Sequence, residues 1–148
     1  MGFWWTNRVA NPVLRRLLRT AAGRRLGRGL LLLRYTGRRT GRPHEVVTQY
    51  ARAENAVWVL VGSADRKTWW RNLRAPADVE VWLAGERLPA VAVAVVGAEA
   101  PGECAAGLRA YLAGMPRAGR ALGLPDSPDA AALGAVVSRT TLVRADLG

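Results

Sequence analysis

The stretch Leu30-Leu31-Leu32-Leu33-Arg34-Tyr35-Thr36-Gly37-Arg38-Arg39-Thr40-Gly41-Arg42-Pro43-His44-Glu45-Val46-Val47-Thr48-Gln49-Tyr50-Ala51 decides the fold. Two apolar, partly alternating runs flank a turn rich in Gly, Arg and Pro. This reads as strands over Leu30 to Thr36 and His44 to Ala51 joined as a hairpin. The same rhythm continues downstream: Ala56 to Gly62, Val79 to Ala84, Leu88 to Val96 and Thr140 to Ala145 read as strands, with breaks at Glu54-Asn55 and Gly85-Glu86. Glu99 to Leu112 and Asp129 to Val136 read as helices, and Ala113 to Ser127 as a Gly/Pro-broken connection with one helical turn. Upstream, Asn11 caps and Pro12 opens a helix that carries Val13, Leu14, Leu17 and Leu18 on one face, with Gly23 as its stop. Five or six short antiparallel strands with a few helices predict an α+β fold built on a small β-barrel, which leaves no long sheet edge.

At 148 residues, half of them hydrophobic, the chain is read as one domain over 1–148, with 1–28 as a basic N-terminal helix and tail. A single cysteine, Cys104, excludes an internal disulfide framework. No apolar run, Leu30 to Leu33 included, is long enough to span a bilayer. With no signal-peptide pattern at the N-terminus, the expected location is cytoplasmic. Phe3, Trp4 and Trp5 precede the first helix; they suit a tail packed on the domain, or an interfacial anchor in peripheral contact with acidic membrane.

Charge is unevenly spread. Residues 1–74 hold sixteen basic and three acidic side chains, and residues 75–148 hold six and eight. One half of the molecule therefore favours an anionic partner: phosphate, polycarboxylate, nucleic acid or acidic lipid.

Three segments of that half carry chemistry. In Gly37-Arg38-Arg39-Thr40-Gly41-Arg42, glycines let backbone amides approach an anion and arginine forks match its oxygens. The turn lacks the Gly-Lys-Ser/Thr ending of a P-loop, and a plain charged hairpin would carry the same residues. Val59-Leu60-Val61-Gly62-Ser63 ends a strand in small residues, against which a flat ring can lie. In Asp65-Arg66-Lys67-Thr68-Trp69-Trp70-Arg71-Asn72-Leu73, Asp65 or Thr68 starts a helix that turns Trp69, Trp70 and Leu73 to the core. Its free amides beside Lys67 would favour an anion, one Trp would wall a flat pocket, and Asn72 would tie down a loop. His44, the only histidine, is suited to an anion contact or to plain surface exposure. One histidine and one cysteine exclude a His- or Cys-based metal cluster, no Gly-x-Ser-x-Gly elbow is present, and the acidic residues are scattered. A basic, aromatic-lined pocket without catalytic side chains implies that the reactive atoms belong to a cofactor.

The order Gly37-Arg38-Arg39-Thr40-Gly41-Arg42, a strand pair, then Trp69-Trp70-Arg71-Asn72-Leu73-Arg74 resembles the deazaflavin (F420)-dependent nitroreductase family, also called F420H2-dependent quinone reductases. Asn11-Pro12 with Leu17-Leu18-Arg19, and Thr141-Leu142-Val143-Arg144, are similar to that family's ends. The chain departs from its pattern in Ser63 to Thr68, which is shorter and lacks a proline. The resemblance implies a split β-barrel of about six mostly antiparallel strands, F420 as cofactor (FMN as the alternative) and hydride transfer to a quinone, nitroaromatic or activated enone. It implies that Arg38, Arg39 and Thr40 meet the phosphate and polyglutamate tail, that His44 and Val46 contact the cofactor, and that Val61, Gly62 and Ser63 line the deazaflavin. Lys67, Thr68, Trp69, Trp70 and Asn72 would close the site. The expected partner is a small electrophilic substrate rather than nucleic acid, with the chain a monomer or homodimer. The competing reading is a non-enzymatic binder of nucleic acid, acidic membrane or a hydrophobic ligand.

Overall fold

Seven strands, every neighbouring pair antiparallel, form one sheet in the order β2-β1-β5-β6-β7-β4-β3. They are β1 (Leu30–Thr36), β2 (Pro43–Gln49), β3 (Ala51–Ala53), β4 (Ala56–Leu60), β5 (Ala77–Leu83), β6 (Glu86–Val96) and β7 (Thr141–Leu147). Among the described residues four helices accompany them: α1 (Pro12–Leu18), α2 (Pro101–Gly114), α3 (Arg117–Ala121) and α4 (Ala130–Val137), besides a 3-10 helix over Trp69–Leu73. The computed structural model describes residues 12–20 and 29–148. The Asn11 cap, the Gly23 stop and the Phe3-Trp4-Trp5 tail lie outside the described residues.

The sheet curls. Leu31 and Leu33 of β1 share a core cluster with Val57 and Val59 of β4, although four strand-to-strand steps separate β1 from β4 in the sheet order. The opposite faces are covered by helices: α2 and α4 pack Cys104, Leu108, Leu133 and Val137 against Trp58, Val95 and Leu142, and Leu18 of α1 packs with Leu32, Val47 and Trp82. This double cover explains Leu31-Leu32-Leu33, a continuous apolar run in which all three side chains are buried. Strands covered on both faces need not alternate.

Several sequence expectations are corrected in detail. The strand expected over His44 to Ala51 is two strands, broken at Tyr50: β2 pairs with β1 at one edge and β3 pairs with β4 at the other. The chain uses this corner to pass from one end of the curled sheet to the other, which makes seven strands rather than six. The helix expected from Asp65 or Thr68 is only the five-residue 3-10 turn, and Thr68 makes no side-chain cap. The β5–β6 hairpin turns at Ala84-Gly85, since Leu83 pairs with Glu86. On α1, Leu18 is buried and Leu14 packs against it, whereas Val13 and Leu17 are exposed. The C-terminal readings hold closely: Asp129 caps α4 by accepting the Ala132 N–H at 2.8 Å, and α3 is the single helical turn within the Gly/Pro-broken connection.

Candidate functional site

The Arg-rich turn is a closed loop. Pairing of Thr36 with Pro43 leaves six residues, and the Gly37 N–H donates to Arg42 O while the Gly41 N–H donates to Gly37 O, both at 2.8 Å. Gly41 holds φ +71°, a conformation that suits glycine. A Cβ on Gly37 would stand 2.9 Å from Thr40 Oγ1 and 3.0 Å from His44 Nε2, so a side chain there would crowd both. The Arg42 N–H donates to Thr40 Oγ1 at 3.2 Å. Asn72 clamps this loop to the 3-10 helix across 34 positions of sequence: its Oδ1 accepts the Arg38 N–H and its Nδ2 donates to Trp69 O, both at 2.9 Å. Between the two segments lies a cradle of about 290 Å³ lined by Gly37, Arg38, Arg39, Thr40, His44, Thr68, Arg71 and Asn72. Its lining contains no carboxylate.

A second concavity opens where β4 ends. The Val61 N–H still pairs with Thr141 O at 3.0 Å; beyond it Ser63 turns the chain at φ +54°. The Arg66 and Lys67 N–H groups both donate back to Ser63 O, and Trp70 Nε1 donates to Ala64 O at 3.0 Å. One wall of this groove, about 550 Å³, is Val61, Gly62, Ser63, Ala64 and Asp65, with Trp70 and Arg71 at one side and Leu122, Ser138, Arg139, Thr140 and Thr141 also lining it. Lys67 does not line it. Its Nζ lies over Gly62, 3.6 Å from where a Cβ would stand, and burial pushes its pKa below the ordinary lysine value.

A third hollow, about 570 Å³, lies against the outer end of the hairpin and includes Arg34, Tyr35, His44, Val46 and Trp69. The ring of Tyr35 stacks on His44 at 5.5 Å and meets Trp69 at 6.1 Å. Arg15 and Arg19 of the α1 segment also line it, and both pair with Glu45. Burial raises the Tyr35 pKa.

The expected site residues therefore do not share one pocket. Arg38, Arg39, Thr40, Thr68 and Asn72 line the cradle; Val61, Gly62, Ser63 and Trp70 line the groove; Val46 and Trp69 line the hollow; His44 borders both cradle and hollow. The tryptophans divide as well: Trp70 is buried in the core beneath Arg71 and Arg74, and Trp69 is half-buried. Sequence reasoning passed over Arg71, although it stands inside the quoted motif, because nothing local distinguishes it from the other arginines. It also missed Leu122, at the end of α3, and the Ser138 to Thr141 segment, which arrives through β4–β7 pairing; neither carries a signal of its own. Among the described residues no group of three or more His, Cys, Asp or Glu side chains is placed to hold a metal, and no helix is long and apolar enough to cross a membrane.

Comparison with known proteins follows the same lines. No curated protein matches the sequence significantly. Among solved structures, the fold is similar to a domain-swapped dimer (TM-score 0.58, 16% identity, 90% of this chain and 94% of that one). It is also similar to an F420-H2 dependent reductase, FDR-A (TM-score 0.54, 14% identity, 79% of this chain and 94% of that one). At these identities the likeness is one of fold. The family model for F420H(2)-dependent quinone reductases matches residues 4–109, a span that includes the hairpin, the Arg turn and the Trp-Trp-Arg-Asn-Leu segment. The chain belongs to the F420H(2)-dependent quinone reductase family.

Proposed function

We propose that this chain is an oxidoreductase that uses reduced F420 to reduce small electrophiles of the quinone, nitroaromatic or activated-enone type. The observation that carries the reading is a carboxylate-free cradle, with Arg38, Arg39 and Arg71 in its lining, together with a groove walled by Val61, Gly62 and Ser63 that shares Arg71 with it. The residues fit the cofactor on both counts. A phosphate with several carboxylates needs a cationic surface, and Arg38 and Arg39 of the Gly37 to Arg42 loop supply one. A flat deazaflavin needs a wall of small side chains, and Gly62 and Ser63 supply it. The family match points to F420 and lends FMN no support.

Bound there, F420 supplies the hydride. Arg38, Arg39 and Thr40 hold the anionic tail, Asn72 keeps that loop in register with the 3-10 helix, and Val61 to Ser63 orient the ring. Binding and orientation are the protein's part, because the redox chemistry belongs to the cofactor. Arg139 lines the groove from the α4–β7 side; its cation favours the oxyanion that forms when hydride reaches a quinone or enone.

The test is a titration of the purified full chain with F420 and with FMN, followed by tryptophan fluorescence, then turnover of a quinone, a nitroaromatic and an enone with reduced F420. Micromolar F420 binding with weak FMN binding and reduction of at least one electrophile is expected. Absence of quenching by F420 would sink the reading.

A further inference from the structure

The Gly/Pro-broken connection between α2 and α4 takes no part in the cradle and gives the groove only Leu122. It builds instead a separate cavity of about 450 Å³ between these helices, a size within the range of small-molecule pockets, about 300–1,000 Å³. All of the cavity's lining except Arg109 lies beyond the span shared with the family. Its apolar surface comes from Leu112 of α2, Leu124 of the connection and Leu133 of α4, and the last two are buried. Local geometry fixes that surface. Gly123 ends α3 at φ +77°; its N–H donates to Arg120 O at 3.0 Å, and the Leu124 N–H donates to Gly119 O at 2.9 Å. This paired helix stop turns the residue after the glycine back onto its own helix, which seats Leu124 in the lining. Arg109 and Arg120 also line the cavity; both are exposed, and neither has an ion pair among the described residues. Asp126 is the single carboxylate there, so the lining carries one net positive charge beside an apolar surface.

We infer that this cavity is a second binding site, and that its ligand is an amphipathic monoanion, a free aliphatic carboxylate of medium chain length. The alkyl chain lies against the three leucines, where removal of its CH2 groups from water drives binding. The carboxylate meets the guanidinium forks of Arg109 and Arg120, whose planar donors match its two oxygens. Asp126 disfavours a second negative charge. The site is independent of the proposed use of F420, since it shares no lining residue with the cradle, the groove or the hollow.

The experiment is calorimetric titration of the full-length protein with decanoate, decanol and decyltrimethylammonium, each below its micelle concentration. Decanoate is expected to bind at one site, decanol more weakly, and the cation not measurably. Arg109→Gln and Arg120→Gln should each weaken decanoate about 3- to 10-fold for loss of an exposed charge-assisted contact, and leave decanol unchanged. Gly119→Leu tests the apolar part. A Cβ at Gly119 meets only Leu112 Cδ2, at 3.7 Å, so the new side chain has room to occupy the cavity and should abolish binding of both decanoate and decanol. The two arginine variants, at exposed positions, decide the matter even if Gly119→Leu does not fold. Arg117→Gln, on α3 outside the lining, and Arg139→Gln, in the groove, should bind decanoate as the parent does. Absence of decanoate binding to the parent, equal affinity for all three ligands, or unchanged decanoate affinity in both arginine variants would overturn the assignment. Loss of binding in Arg139→Gln would overturn it too, by placing the carboxylate in the groove.

Discussion

Gly97 sits where β6 meets the α4–β7 connection, and a Cβ there would lie 1.7 Å from the carbonyl oxygen of Val137. Backbone cannot swing aside as a side-chain tip can, so Gly97→Ala should destabilise by about 3 kcal/mol, near the upper end of usual overpacking costs. Gly134, in the exposed part of α4, meets nothing within 4 Å, and Gly134→Ala should stabilise by about 0.5–1 kcal/mol because alanine loses less backbone freedom in a helix. Urea midpoints of the two variants test the pair, and a similar shift for both would refute the packing argument. Cys104 gives a chemical counterpart. It is fully buried, its Sγ–H points to Thr140 O at 3.8 Å, and burial, aided by Glu103, pushes its thiol up to about 11. Only the thiolate reacts, so native protein at pH 8 should resist a thiol reagent and yield one equivalent after denaturation. Prompt labelling of the native chain would show that Cys104 is accessible.

The β5–β6 hairpin is held by a turn whose two central residues, Ala84 and Gly85, both have positive φ, +52° and +81°. This is the mirror-image turn that matches strand twist, and it suits Asn-Gly far better than Ala-Gly. Ala84→Asn should therefore stabilise by about 1 kcal/mol, read as a raised urea midpoint with an unchanged slope; no gain would mean that the alanine is not strained. The sequence showed a break here but displaced it by one residue, because Gly85 marks a turn without saying which side of it the pairing resumes. The Asn72 clamp belongs to the same scale, since it joins a hairpin loop to a 3-10 helix. Asn72→Ala removes two hydrogen bonds and should cost about 1–2 kcal/mol of stability while weakening F420 binding. The two effects are separable, because the phosphate-free chromophore should lose less affinity than F420. The tie itself was legible in the motif, whereas its partner, the backbone of Arg38, was not.

Across the whole molecule, the excess of positive charge lies in the half that forms the hairpin, the Arg turn and the 3-10 helix, and the formal net charge is +11. Exposed charges interact through a screening length of about 8 Å at physiological ionic strength. F420 affinity should fall several-fold as salt rises from low to high, and the phosphate-free chromophore should respond far less; equal salt slopes for the two ligands would contradict a cationic tail site. The sequence by itself determined the strand and helix rhythm, the charge asymmetry and the motifs by which the family is known. These depend on local periodicity and on residue chemistry, which need no partner to be read. Only the tertiary structure decided that the strand after the Arg turn breaks at Tyr50 to serve both edges of the sheet. The structure also distributes the expected cationic, aromatic-walled pocket over three concavities, two of which share Arg71 in their lining and two His44. It brought Ser138 to Thr141 against Val61 and Gly62 from nearly eighty positions away. Those outcomes follow from long-range strand pairing and from curling of the sheet around its core. Neither is encoded in any single stretch of the chain.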